Sequence, residues 1–592
     1  MFPSSSASLL LAAAASCLCL SAGERLQSSH LRLETLADNA GLAFLGVDSL
    51  GKGRVHTNLL REASPAPAWR ISVSDRRIVL SSKFQADLPA RPYTLTFNPR
   101  ICHATLLGRM NEDGSVRLPA LLHLPDYGTL RITAKGTTRP LLYDALRDSA
   151  NRQNSFVRVE LPPPTAASPS VEYEFEVVAV YPKVRGIDGD PRFEGFRRNF
   201  LNVFQLNPRL AVLANHAASD PCAFTLFLYS AQAAHTPPLA PGLTAMDLVR
   251  ETLDRYLAGK LAYGMVGYRA SEMNQVRYDF LDTYPSLLIA ASDYAAATGD
   301  REWLRRNYAG LKQWLSKMSA MDRDGNGLIE YPLSGNSGSW PRPLTVRPAN
   351  WWDTIGFGHE DAYSNALAYR AWQGMEKIAR MLGQAEDANA AAAGANTLRQ
   401  AYFKTFYNPQ TGVLAGWKSA DGALHDYYFT FVNSMAIHYG LVERDAANRI
   451  LDRLLAKMRE AGFTRFEFGI PGNLIPIRRA DYVEHKKRYG GPEREDGSDA
   501  FQIYENGGAT ACYAYFTMQA LYDLGRYREG DGMLLPMLQA FEEGQFQGFG
   551  ANGNSKDWKA WDGTPWGYEG FLVDNYLSLL AVVTRGPAPF SN

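Results

Sequence analysis

Surplus charge of one sign is missing from this chain: 61 Lys and Arg balance 61 Asp and Glu over 592 residues. That balance removes the electrostatic case for nucleic acid or an anionic membrane surface as partner. Cysteine is scarce, with only Cys17, Cys19, Cys102, Cys222 and Cys512. If a leader is cleaved near Ala22, three remain, and an odd, sparse set with no paired Cys/His spacing excludes both a disulfide scaffold and a zinc site. Past the first residues no apolar run approaches about 18 uninterrupted positions, so no spanning helix is expected in the mature protein.

What is present begins with a leader. The apolar run from Leu9 to about Leu20, followed by small residues, suits a signal peptide over 1–22 and is too short to cross a bilayer. Export to the periplasm or the exterior is the expectation. The segment before the run lacks Lys and Arg, and Cys17 in Ala-Ala-Ser-Cys leaves a lipid anchor as an alternative. Aromatics are plentiful, with 11 Trp and 30 Tyr. Such rings fill cores, and they also offer the flat apolar faces on which sugars stack.

Two periodicities divide the chain. From about 23 to 235, short alternating runs such as Trp69-Arg-Ile-Ser-Val-Ser and Val171-Glu-Tyr-Glu-Phe-Glu-Val-Val read as strands broken by Gly, Pro, Asn and Asp. Thr236-Pro-Pro-Leu-Ala-Pro-Gly-Leu-Thr reads as a linker. From 236 to 592 the period is helical, with helices expected at about 245–257, 283–298, 301–319, 360–382, 384–406, 429–440, 444–461, 507–525, 528–540 and 567–584. Very short turns alternate with long loops rich in Trp, Asp, Gly and Tyr. That alternation predicts an N-terminal antiparallel β-sandwich followed by an all-α (α/α)6 toroid with its chemistry on one face. The stretch Phe200-Leu-Asn-Val-Phe-Gln-Leu reads as the interface between the two.

Three loops concentrate the candidate residues. In the first, Asp322, Asp324, Asn326, Gly327 and Glu330 follow the opening of a calcium-binding loop, but Leu333 stands where the closing acid belongs. Calcium at Asp322, Asp324 and Asn326 therefore competes with a side-chain-capped turn that holds Glu330 at a cavity mouth. Further on, Asp353 follows Trp351 and Trp352; an apolar surround raises a carboxyl pKa, as a general acid requires. Trp340, Arg347, His359, Glu360 and Asp361 are candidate pocket residues, with Glu360 or Asp361 also suited to cap the following helix. The second loop ends in Tyr504-Glu505-Asn506-Gly-Gly, with Glu505 as base or sugar contact and Tyr504 and Asn506 beside it. The third carries Trp558, Trp561, Trp566, Tyr568 and Glu569, which reads as a sugar subsite with a carboxylate at its edge.

At these loops the sequence resembles the six-hairpin glycosidases, the toroidal superfamily that includes trehalases, processing α-glucosidases (families 37 and 63), glucoamylases and α-L-rhamnosidases. The resemblance covers roughly 240–585 and is carried by Asp-Arg-Asp-Gly-Asn-Gly-Leu-Ile-Glu330, then Trp-Trp-Asp353, then Asp361-Ala-Tyr-Ser-Asn-Ala-Leu-Ala-Tyr. It implies that Asp353 is the general acid and that Glu569 or Glu505 is the base of an exo-acting, inverting glycoside hydrolase on oligo- or polysaccharides, with no cofactor. The trehalase-type Glu-Ser-Gly before Trp-Asp is absent, which leaves the base and the family open. A polysaccharide lyase on the same toroid and a non-catalytic glycan-binding protein are the alternatives.

Overall fold

The computed structural model describes residues 18–19, 23–37, 41–62, 68–98, 103–147, 155–215, 222–259, 280–332, 349–352, 354–482, 491–546, 557–566 and 573–590. The first part is built from antiparallel sheets. A seven-stranded sheet runs, edge to edge, Leu18–Cys19, Trp69–Val73, Arg77–Lys83, Ser170–Val178, Gly128–Lys135, Val116–Leu124 and Thr105–Met110. Three-stranded sheets pair Leu142–Arg147, Ser155–Leu161 and Tyr93–Thr96, and Arg25–Gln27, Leu31–Thr35 and Leu42–Val47. Strand Ser170–Val178 shows why it sits between layers. Val171, Tyr173, Phe175 and Val177 point inward, while Glu172 and Glu176 face out and pair with Lys135, Arg77 and Arg131. Trp69 bridges the sheets, its ring 5.6 Å from Tyr93 and 6.0 Å from Tyr173.

The helices form a closed double ring. Leu226–Ala233, Thr283–Thr298, Ala362–Leu382, Thr430–His438, Ala514–Asp523 and the 3-10 segment Val573–Leu580 pack each on the next, and the last returns to the first. Ala245–Leu257, Arg301–Ser319, Ala385–Phe406, Arg444–Glu460 and Tyr527–Glu542 back them from outside. Composition assigns the rings. Thr283–Thr298 is buried almost all round, whereas Arg301–Ser319 buries a single stripe of Trp303, Leu304, Leu311, Trp314 and Met318. The turn between them is chemical: Gly299 takes the left-handed conformation that ends one helix, and Asp300 accepts from the Trp303 N–H to cap the next.

Several expected helices match the observed ones to within two residues at each end. Ala245–Leu257, Thr283–Thr298 and Arg301–Ser319 coincide with expectation residue for residue. The helix expected from 507 begins only at Ala514, because Ala509–Thr510 is drawn into a sheet with Ile470–Pro471 and Lys559, and Tyr513 is left-handed (φ 60°). The segment expected to be helical over 567–584 is described from 573, as a 3-10 turn and then Ala581–Thr584. Helical segments at Glu194–Asn199, Phe200–Val203 and Leu226–Ala233 fall before the expected boundary at 235, and Leu226–Ala233 is a member of the inner ring.

The interface is tight and polar at its centre. A Cβ on Gly195 would lie 2.2 Å from the Leu538 carbonyl oxygen. Asn199 Nδ2 donates to the Phe541 carbonyl, and Gln232 Nε2 to that of Phe200. Arg198 pairs with Asp48 at 2.6 Å with both side chains fully buried, and Arg54 pairs with Glu542. Among the described residues no helix is long and apolar enough to cross a membrane.

Candidate active site

Every short turn joins an inner helix to the outer helix after it, so every long connection returns to the N-terminal end of an inner helix. The long loops therefore gather at one mouth of the toroid. They carry two four-stranded miniature sheets: Glu330–Tyr331, His359–Asp361, Trp417–Lys418 and Leu424–His425; and Ile470–Pro471, Ala509–Thr510, Trp558–Lys559 and Pro565–Trp566. Beside the second lies a small cavity of about 10 Å³ whose walls include Trp351, Trp352, Phe431, Cys512, Tyr513 and Trp558.

Acids at the starts of inner helices hold the tryptophan pair. Asp282, fully buried, accepts from the Trp351 N–H at 2.9 Å. Asp361 caps Ala362–Leu382 by accepting from the Tyr363 N–H and the Ser364 hydroxyl, and it also takes the Asn350 amide, whose oxygen accepts from the Trp352 N–H. Burial pushes the Asp361 carboxyl up to about 6. The two indoles lie 4.8 Å apart, and Trp351 stacks on Tyr513 at 4.7 Å. Both indole N–H groups are buried with no acceptor among the described residues. Buried donors without partners are rare and costly, each worth roughly 1–3 kcal/mol when left unmade.

Glu505 is a further buried carboxylate, tied to the segment that follows the pair. It is 1% exposed, and its Oε2 accepts from both the N–H (2.7 Å) and the hydroxyl (2.6 Å) of Thr354, the residue that follows Asp353 in the chain. Donors on a carboxylate favour its ionised form. Cys512 Sγ donates to Asp574 Oδ2 at 3.2 Å, and burial pushes Asp574 up to about 6. Asp574 Oδ1 has no hydrogen-bond partner among the described residues.

Of the predicted residues, Asp353, Glu569, Trp340, Arg347 and Tyr568 lie outside the described residues, as does Cys17. Trp351 and Trp352 line the cavity, and Glu505 bonds Thr354 two residues beyond them. Asn506 staples the loop, donating to the Gly497 carbonyl and accepting from the Ile477 N–H. Tyr504 packs edge-on against Trp558, Trp561 donates to the Gly507 carbonyl, and Trp566 pairs with Trp558 across its strand. His359 and Glu360 face the acidic loop instead. Asp324, Glu330 and Glu360 each bring a carboxylate oxygen within 4.8 Å of the others. Protein donors already occupy them: Asn326 Nδ2 bonds Asp324 and Glu360, Lys418 Nζ reaches Glu360 at 3.0 Å, and His359 Nε2 lies 3.3 Å from Glu330. Asp322 caps the turn through the Gly325 and Gly327 N–H groups. Sequence reasoning missed Asp282 and Asp574. Their shared signal is position, an Asp at or just before the start of an apolar inner segment, the place Asp361 also holds.

Residues 249–517 match the model of the bacterial alpha-L-rhamnosidase six-hairpin glycosidase domain. No curated protein sequence matches the chain. Similar solved structures include a rhamnosidase from Klebsiella oxytoca with rhamnose bound, at 12% identity, covering 87% of this chain and 86% of that one with a TM-score of 0.43. A GH63 mannosylglycerate hydrolase from Thermus thermophilus in complex with Tris is 14% identical, covering 64% and 98%, with a TM-score of 0.43. An alpha-L-rhamnosidase from Dictyoglumus thermophilum is 12% identical, covering 85% and 51%, with a TM-score of 0.42.

Proposed function

We propose, on the match of residues 249–517 to a six-hairpin glycosidase domain, that the chain is an exported glycoside hydrolase, exo-acting and inverting, that removes a terminal sugar from an oligo- or polysaccharide. The observation that carries this reading is the pair of buried indole N–H groups on one small cavity, without acceptors among the described residues, with the buried Glu505 carboxylate bonded two residues further on at Thr354. A hydroxylated ring supplies both the acceptors for the indoles and the apolar face for the aromatic walls.

In this reading Asp353 donates the proton to the leaving oxygen. Glu505, held by Thr354, activates the water on the opposite face of the sugar, with Glu569 as the competing base. Inversion requires the two carboxyl groups to stand about 6.5–9.5 Å apart, leaving room for that water. No cofactor takes part in this reading: Lys418 and Asn326 reach Glu360, and Asn326 also bonds Asp324, in place of a cation.

The test is a panel of aryl glycosides, led by an α-L-rhamnoside, and natural oligosaccharides, with released sugar followed by NMR so that the first-formed anomer is seen. Hydrolysis with inverted configuration supports the reading. An unsaturated, ultraviolet-absorbing product instead identifies a lyase, and binding without turnover a glycan-binding protein; either result defeats the proposal.

A further inference from the structure

A second and larger cavity opens at the other end of the toroid. It has a volume of about 180 Å³ and takes its walls from all six inner segments: Phe227, Asp293, Arg370, His438, Phe516 and Leu577. It is separate from the first. A column of stacked rings closes the bore between them, Trp351 on Tyr513 at 4.7 Å, Tyr513 on Phe516 at 6.2 Å and Phe516 on Phe227 at 6.2 Å.

The chemistry of the wall defines a ligand class. Phe227, Phe516 and Tyr439 offer apolar faces. Asp293 accepts from the Ser230 hydroxyl at 2.8 Å and from Arg370 Nη2 at 3.4 Å, a long contact, and it is the one hydrogen-bond partner of Arg370 among the described residues. The planar guanidinium therefore keeps donors for a ligand. Charge is balanced, because Asp293 faces Arg370 and Lys377, and His438 pairs with Asp523 at 2.6 Å. A balanced wall gives an anion or a cation no net attraction. Adjacent carboxylate and guanidinium groups above aromatic faces match the vicinal hydroxyls and apolar side of a pyranose, and a cavity of about 180 Å³ limits the ligand to a single ring. We propose that this cavity binds one neutral monosaccharide, apart from the hydrolytic cavity. The choice of a sugar rests on the glycosidase reading, whereas the existence of a ligand site does not.

The experiment titrates the full chain with L-rhamnose, D-glucose, D-mannose and D-galactose by calorimetry, with hydrolysis of an aryl glycoside measured in parallel. Two variants decide the location. Arg370→Gln removes the donor fork, and Ala234→Trp places a bulky ring on an exposed rim position that leaves the core untouched. Each is expected to weaken binding of the preferred sugar by at least roughly tenfold, the equivalent of about 1.4 kcal/mol, while Ala234→Trp leaves hydrolysis unchanged. Should Arg370→Gln fail to fold, Ala234→Trp decides alone. Unchanged affinity and stoichiometry in Ala234→Trp overturn the inference, and so does the absence of any sugar binding by an actively hydrolysing protein. Sugar binding that Ala234→Trp abolishes in a protein without hydrolysis upholds the second site and defeats the proposed function instead.

Discussion

Asp353 and Glu505 carry different burdens in the proposed reaction, and substitution separates them. Asp353→Asn keeps volume but removes the proton that must reach the glycosidic oxygen. General acid catalysis contributes roughly 100- to 10,000-fold, so the rate on natural glycosides is expected to fall by that order, and by less on aryl glycosides whose leaving groups need little protonation. Glu505→Gln is expected to lose turnover on every substrate, since activating water is required whatever leaves, while a residue that only contacts sugar would mainly raise KM. Steady-state kinetics of both variants on the two substrate classes check this; near-parent activity of Glu505→Gln moves the base to Glu569. At this scale the sequence was partly legible. Glu505 stood out through the glycines beside it, and the tryptophan pair through its density. Asp282 and Asp574 did not, because a lone Asp near a helix start reads as a cap, and only closure of the ring turns three such positions toward one mouth.

The loop from Asp322 to Glu330 shows what a motif does when its last ligand is missing. Asp322 and Asp324 accept from N–H groups of their own turn, Asn326 reaches across to Glu360, and Lys418 brings the positive charge that a cation would bring. Burial still pushes the Glu330 carboxyl above its usual range, and His359 beside it is the main group holding it down. Chelators are therefore expected to leave both activity and melting temperature unchanged. A loss on chelation that calcium alone restores would defeat the chain's own donors as the source of neutrality. Periodicity located the helices here because inner and outer members differ so strongly in apolar pattern, and caps such as Asp300 and Asp361 fixed their starts. It placed one start at Gly507 instead of Ala514, since strand pairing of Ala509 and Thr510 with residues nearly 40 and 50 positions away leaves no local periodic mark.

At the scale of the whole molecule the sheets and the ring share one seam, which local composition could not reveal. Phe200-Leu-Asn-Val-Phe was read as interface from its apolarity and is fully buried there, but Leu226–Ala233 gave no sign that it closes the ring. A chain beginning at 236 lacks that inner member and Glu194–Val203 behind it, so it is expected to be insoluble and inactive; soluble yield and turnover beside the full chain check this. The seam also holds a titrating group. Asp126 is buried beside Arg54, Glu542 and Arg198, its Oδ1 has no hydrogen-bond partner among the described residues, and burial outweighs the nearby arginines to push its carboxyl up to about 7. An unfolded Asp titrates near 4, so between about pH 4 and 7 the folded chain holds a proton that the unfolded chain has released. Stability from this residue is thus full below about pH 4 and is lost as pH rises through 7, by an amount on the order of 4 kcal/mol. Asp126→Asn removes the ionisation. Its backbone is left-handed at φ 69°, a conformation that Asn tolerates better than most residues, so the exchange adds little strain. The variant is expected to melt with the parent near pH 4 and progressively above it towards pH 8. Melting curves of both proteins across that range decide the matter, and a difference that stays flat with pH would show that Asp126 is charged in the folded protein throughout.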